Sequence, residues 1–197
     1  MFVVAGVLTL FLASCAQVGA AANVGDTKIT QATVQGSIDS ILAERGKVDT
    51  TQMQLETGET LNRSQLRFHL LGTLLRELGS ELKLKITKAE IDTRRASIVD
   101  QVGGAQQLPT ALVGAGIAPA DLDLYIEAIS YSEKISQALV ASGVAKDQVG
   151  AEIQKLVVAK AKQLGVTVNP RYGKWDGKAA DVVAIDSAGS AVTPSGK

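Results

Sequence analysis

LNRSQLRFHLLGTLLRELGSELKLKITKAEIDTRRASI (residues 61–98) is the stretch that decides the fold class. Leu71, Leu74, Leu75, Leu78 and Leu82 recur at i, i+3, i+4, i+7 and i+11. Leu66 and Leu70 continue the stripe backward, so residues 61–84 are expected to form one long helix with a continuous apolar face. The passage then turns sharply. Thr87-Lys88-Ala89-Glu90 has the pattern of a capping box, in which the threonine hydroxyl satisfies a first-turn amide and the glutamate reaches back to the threonine N–H. Ile86 and Ile91 flank it at the staple positions, and a further helix is expected through Ile98 and Val102 to Gly103-Gly104.

The same signals recur on either side. Upstream, Thr30 is placed to cap a helix that carries Val34, Ile38, Ile41 and Leu42 on one face and stops at Gly46. Residues 47–60 are polar and aperiodic, a long loop of the kind that is often mobile or functional. Downstream, residues 108–112 suggest a short helical turn. Ala118-Pro119 opens a helix with proline at its favoured first position, and Leu122, Tyr125, Ile126, Ile129, Ile135 and Leu139 mark its buried side as far as Gly143. Asp147 is expected to cap the last helix, which buries Ile153, Leu156, Val157, Ala161 and Leu164 and ends at Gly165. Val166-Thr167-Val168 alternates as a short strand, and Gly25-Asp26 marks a turn within another short extended segment at residues 23–29. Trp175, in the polar-aromatic cluster with Arg171, Tyr172 and Lys174, is expected to press the C-terminal strand onto the helices.

Composition narrows the partners. Lys plus Arg equals Asp plus Glu at 20 each, and aromatics are 4% of the chain. A balanced charge lacks the basic face that a nucleic acid requires, so no nucleic-acid partner is expected. Scarce aromatics suit helices packed on helices better than a platform for bases or sugars.

The N-terminus speaks to location. Phe2 to Ser14 holds no charge and is mostly Val, Leu, Phe and Ala. It is too short for a membrane span, which takes about 20 residues, and has the length of a signal-peptide core. It ends in Leu12-Ala13-Ser14-Cys15, which resembles the lipobox read by bacterial lipoprotein signal peptidase, although no Lys or Arg stands between Met1 and the apolar run. The resemblance implies removal of residues 1–14, with Leu12, Ala13 and Ser14 as recognition residues, and acylation of Cys15. Each buried CH₂ contributes about 0.8 kcal/mol, so two or more acyl chains hold firmly. Residues 15–22 are then a lipidated tether, 23–176 one domain with its own core, and 177–197 a disordered tail rich in small residues, with 181–185 as a short-strand candidate within it. The expected location is the extracytoplasmic face of the cell membrane.

Counting excludes several chemistries. Cys15 is the sole cysteine and His69 the sole histidine. No internal disulfide, no Cys–His nucleophilic pair and no zinc site built from Cys and His can be assembled. There is no Gly-x-Ser-x-Gly elbow. Val113-Gly114-Ala115-Gly116 fails as a dinucleotide fingerprint because Ala118-Pro119 stands where the third glycine belongs. His69 is expected to be an ordinary surface or packed helical residue, Asp121 and Asp123 first-turn dipole partners, and Arg94-Arg95 a solvated pair. No cofactor, no metal and no catalytic residue is expected.

Three passages in order, residues 78–98, LVGAGIAPADLDLYIEAISYSEKI (112–135) and LGVTVNPRYGKWD (164–176), are similar to the core domain of the SurA/PrsA family of extracytoplasmic foldases. The resemblance implies a mainly α fold: a SurA N-terminal-like domain of about five helices, with a small two-stranded β element joining N- and C-terminal segments near Val24 and Val166. Family members carry a parvulin-type prolyl isomerase domain between the last two helices. Here only residues 140–146 separate those helices, far short of the roughly 50 residues a domain needs. The resemblance therefore implies a chaperone body without the isomerase: a membrane-anchored lipoprotein that holds unfolded or exported polypeptides, not an enzyme. Client contacts are expected from Leu71, Leu74, Leu75 and Leu78 and from Tyr125 and Ile129. The alternative is a lipoprotein that grips one dedicated folded partner; residual isomerase activity is the remotest reading.

Overall fold

A computed structural model describes residues 19–185. Among them are six α-helices: α1 (Gln31–Arg45), α2 (Gly58–Glu81), α3 (Lys88–Gln101), α4 (Leu108–Ala115), α5 (Leu122–Ala141) and α6 (Val149–Leu164). Two strands precede them, β1 (Ala20–Val24) and β2 (Thr27–Thr30). Three follow, β3 (Val166–Val168), β4 (Lys174–Asp176) and β5 (Asp181–Val183). The fold is mainly α, as expected, and the helical turn anticipated near Leu108 is a full helix.

The leucine stripe of α2 is the axis of the core. Leu66, Leu70 and Leu74 are wholly buried, with Val34, Ile38 and Ile41 of α1, Ile135 of α5 and Val157 and Ala161 of α6 around them. Two glycines let α5 approach α2 closely. A Cβ on Gly72 would stand 3.0 Å from Leu124 Cδ1, and one on Gly79 only 2.3 Å from the Tyr131 ring. The two glycines are seven residues apart, as are the two side chains they admit, so one seam of α2 is notched to receive one ridge of α5.

Helix ends follow local chemistry. Thr30 caps α1, its Oγ1 accepting from Thr33 N at 3.0 Å. The capping box of α3 is complete, with Glu90 N donating to Thr87 Oγ1 at 3.2 Å and Thr87 N donating to Glu90 Oε2 at 2.7 Å. Several ends differ from expectation: α2 begins a turn early at Gly58, and Pro119 opens a separate 3-10 turn, Pro119–Asp121, so that α5 starts only at Leu122. α2 stops at Glu81 instead of near Leu84, because Lys83 turns into the left-handed region (φ 56°) and Leu84 N closes on Gly79 O at 2.8 Å. Asp147 does not cap α6: Gln148 occupies that position without a side-chain cap, since a turn from Ala145 O to Gln148 N already sets the approach.

The expected link between the chain's two ends is present. β1 pairs antiparallel with β3 in the register Ala22↔Val168, Asn23↔Thr167, Val24↔Val166. Asn169 fastens the junction, donating from its backbone N to Ala21 O at 2.8 Å and from Nδ2 to Ala20 O at 3.1 Å. The Gly25-Asp26 turn adds β2 on the other edge of β1, giving the order β2–β1–β3. Residues 20–22, expected in the tether, are instead strand residues buried against the core, which their small size permits.

Residues 177–185, expected to open the tail, are likewise part of the fold. β5 pairs with β4 through Trp175↔Val182, and Ala180 and Val182 are buried. Arg67 of α2 meets Asp181 at 3.3 Å and Gln154 of α6 donates to Ala179 O at 2.5 Å, so the hairpin is tied to two helices. Trp175 packs on the main core from this hairpin. The remainder of the expected tail, residues 186–197, lies outside the described residues.

Candidate functional site

The residues expected to contact clients divide by burial. Leu74 is wholly buried and Leu78 nearly so, which makes both of them core residues with no surface to offer in this conformation. Leu71 and Leu75 are half-buried against the same core. Tyr125 and Ile129 are half-buried on α5, Tyr125 beside a second, smaller apolar cluster. Leu12, Ala13, Ser14 and Cys15 lie outside the described residues.

A cleft of about 540 Å³ opens where the residue 46–57 loop crosses α2 and α4. Leu55, Leu61, Phe68, Val113, Ile117 and Tyr125 supply its apolar wall, with Arg45, Gln54 and Glu56 at the polar side. Two bonds hold its shape. Gln65 Nε2 donates to Gly116 O at 2.9 Å, and Arg45 Nη1 donates to Glu56 O at 2.8 Å, which ties the loop down. Arg45 Nε is buried without a hydrogen-bond partner. Leu61 and Val113 are buried beneath the surface of the cleft, and Ser64 and Gln65 join its polar side, so the lining is mixed, apolar and polar in similar measure.

α3 borders the second cluster. This helix buries none of its residues fully. Its Ile91 and Ile98 rest half-buried on Leu112 of α4 and Leu122 and Ile126 of α5. Charge holds the rest. Arg94 pairs with Glu133, Arg95 with Asp123, and Lys134 with Glu90 at 2.6 Å, so Arg94 and Arg95 are bonded to α5 and not merely solvated. Lys134 also donates to Lys85 O at 2.7 Å, just before the capping box. That ammonium, joined by the Thr87 N–H and hydroxyl, holds the Glu90 carboxyl down at about 2. All three pairs are substantially exposed, and exposed pairs each contribute about 0–1 kcal/mol and weaken with salt. α3 is therefore held largely by half-buried contacts and exposed charge, and is the one helix of the six described that buries no residue fully.

One polar cluster lies inside the fold. Ser37 of α1, His69 of α2 and Asp121 at the start of α5 meet: Ser37 Oγ is 2.9 Å from His69 Nε2 and donates to Asp121 Oδ2 at 2.6 Å. Asp121 is thus a partner for Ser37, not only a first-turn acid. The three residue types match a hydrolytic triad, but the arrangement does not. In a triad the imidazole stands between hydroxyl and carboxylate. Here the hydroxyl stands between the other two, its single proton is directed at the Asp121 carboxylate at 2.6 Å with Thr33 O a longer acceptor at 3.2 Å, and Ser37 is itself buried. Because that proton is committed, Ser37 Oγ accepts from His69 Nε2–H. Burial favours the neutral imidazole at this position, and the cluster is a buried strut joining three elements.

The strut carries a pH prediction. Burial lowers the His69 pKa from its ordinary value, and nearby Asp121 only partly opposes this. The unfolded chain, with histidine near 6.5, then binds more protons than the folded chain just below that pH, so stability rises with pH through the window. Lowering pH from 7.5 to 5.5 is expected to shift the urea unfolding midpoint downward. His69→Gln, which keeps a donor for Ser37 and lies at the only histidine in the chain, is expected to flatten that shift. An unchanged slope in the variant would show that His69 is not its source.

Among the described residues no cluster of His, Cys, Asp and Glu is placed to hold a metal ion, and no helix is long and apolar enough to cross a membrane. Comparison of the chain with protein-family models, with curated proteins and with solved structures finds no match in any of the three.

Proposed function

We propose that the chain is a lipid-anchored extracytoplasmic protein that holds unfolded or newly exported polypeptides, built like the SurA/PrsA chaperone body and lacking the isomerase. The observation that carries this reading is a cleft of mixed lining that shares Ile117 and Tyr125 with the cluster on which the exposed helix α3 rests. Together they provide shape-tolerant hydrophobic contact at the surface of a fold whose own core is complete. The connection from Ser142 to Gln148 between α5 and α6 supports it too, since it leaves no room for an inserted catalytic domain. Acylation at Cys15 rests on the Leu12-Ala13-Ser14-Cys15 passage. With β1 beginning at Ala20, the four residues between Cys15 and β1 would span at most about 14 Å, keeping the domain at the bilayer surface where exported chains emerge.

Two measurements test the proposal. The purified chain is expected to slow aggregation of several unrelated unfolded proteins near equimolar ratio, without ATP and without accelerating proline isomerisation. Protection of one protein alone would instead favour a dedicated partner, and protection of none would refute the holding activity. In cells, fatty-acid labelling is expected on the parent chain and absent from Cys15→Ser, which should leave the membrane fraction. Labelling that persists in Cys15→Ser would refute the anchor.

A further inference from the structure

The contact between α3 and its neighbours has the form of a ligand in a groove. α4 and α5 form the floor, with Leu112, Leu122 and Ile126 in one apolar cluster separate from the main core. Into it α3 presents Ile91 and Ile98, seven residues apart. Asp123 and Glu133 on α5 receive the two arginines between those isoleucines, and Lys134 receives the acid at the helix start. Residues early in α3 meet residues late in α5, so the occupant runs antiparallel to α5. Both connections to α3 pass through left-handed backbone, at Lys83 on one side and at Gly103 and Gly104 on the other.

We infer that this groove is a docking site for an amphipathic helix of a partner polypeptide, with arginines between two apolar residues seven apart, and that α3 is its built-in occupant. Asp123 and Glu133 favour the two arginines, and Lys134 favours an acid at the start of the incoming helix. A tethered helix competes at high effective concentration, so the groove opens to a partner only when α3 is displaced. Arginine-bearing amphipathic segments of unfolded chains fit this description, and to that extent the inference rests on the proposed holding function, naming where such chains would sit.

The test uses the full-length chain and a fluorescent synthetic peptide that copies residues 87–101. Arg94→Glu with Arg95→Glu in the protein places like charge against Asp123 and Glu133 and releases α3. Peptide affinity, read by anisotropy, is expected to rise at least tenfold over the parent chain and to fall with added salt. A peptide carrying the same two glutamates is expected not to bind. As a second arm, Asp123→Arg with Glu133→Arg should reverse the preference, binding the glutamate peptide over the arginine one. Circular dichroism checks that each variant stays helical, and the second pair keeps the test decisive if the first unfolds. Equal affinity of the two peptides in every variant would overturn the groove. Aggregation assays on the same samples separate the two claims. A chain that protects clients but shows no peptide preference keeps the holding function and loses the groove; one that binds the peptide but protects nothing does the reverse.

Discussion

Leu70→Ala is expected to lower the free energy of unfolding by about 3–4 kcal/mol, within the range for large-to-small changes at fully buried leucines. Leu70 has no exposed surface and stands between Leu66 and Leu74 on the face of α2 around which α1, α5 and α6 assemble. Helices fixed on several sides cannot all move in to fill the space, so a cavity remains and its cost adds to the lost transfer energy. For a domain of this size the change corresponds to a fall of roughly 6–16 °C in the melting midpoint. Leu82→Ala is the internal control. It removes the same atoms from a residue that is 45% exposed, and a change within about 0.5 kcal/mol is expected. Comparable losses in the two variants would mean that α2 is not the axis of the core.

Gly173→Ala is expected to detach the β4–β5 hairpin, at a local cost of about 3 kcal/mol from strain and overpacking together. Gly173 has φ 129°, which L side chains rarely adopt, and its Cβ would stand 2.3 Å from Val183 O. That oxygen belongs to the backbone of β5, so it cannot swing aside as a side-chain tip would; the strands must part. The sole tryptophan reports the event. Trp175 lies half-buried two residues beyond Gly173, and its emission is expected to move to longer wavelength in conditions where far-UV circular dichroism shows the helices intact. An unshifted emission would show that the hairpin absorbs the substitution.

What could be read in the sequence was whatever is encoded within one or two helical turns. The capping box at Thr87 and Glu90 is complete in four residues, and the leucine stripe of α2 needs only its own period. The start of α1 at Thr30 and its stop at Gly46 are local in the same sense. Features that depend on a distant partner were not legible. Ser37, His69 and Asp121 lie on three elements, and nothing near any one of them signals the other two. Arg94 and Arg95 read as solvated until α5 is placed beside them. The burial of Leu74 and Leu78 is the same lesson in reverse: an apolar face long enough to suggest a binding surface is the one the rest of the chain covers. Gly72 and Gly79 did leave a trace, as small residues seven apart in a leucine-rich helix, a spacing that marks close approach by another helix. The short strand β5 was harder, because three residues in an Ala- and Gly-rich stretch carry too little period to separate a strand from a tail.

β1 is the middle strand of its sheet, and that position sets an order of events. One edge finds its partner at once, two residues away across the Gly25-Asp26 turn. The other waits for β3, with a sequence separation of 144 from Asn23 to Thr167, a closure that costs about 4 kcal/mol in chain entropy by itself. A chain synthesised N-terminus first therefore carries an open strand edge from β1 until β3 is made. During that interval it is itself an unfinished polypeptide with the kind of edge that recruits neighbours. Truncation anywhere before Val166 makes the interval permanent, so such fragments should accumulate as aggregates or be degraded.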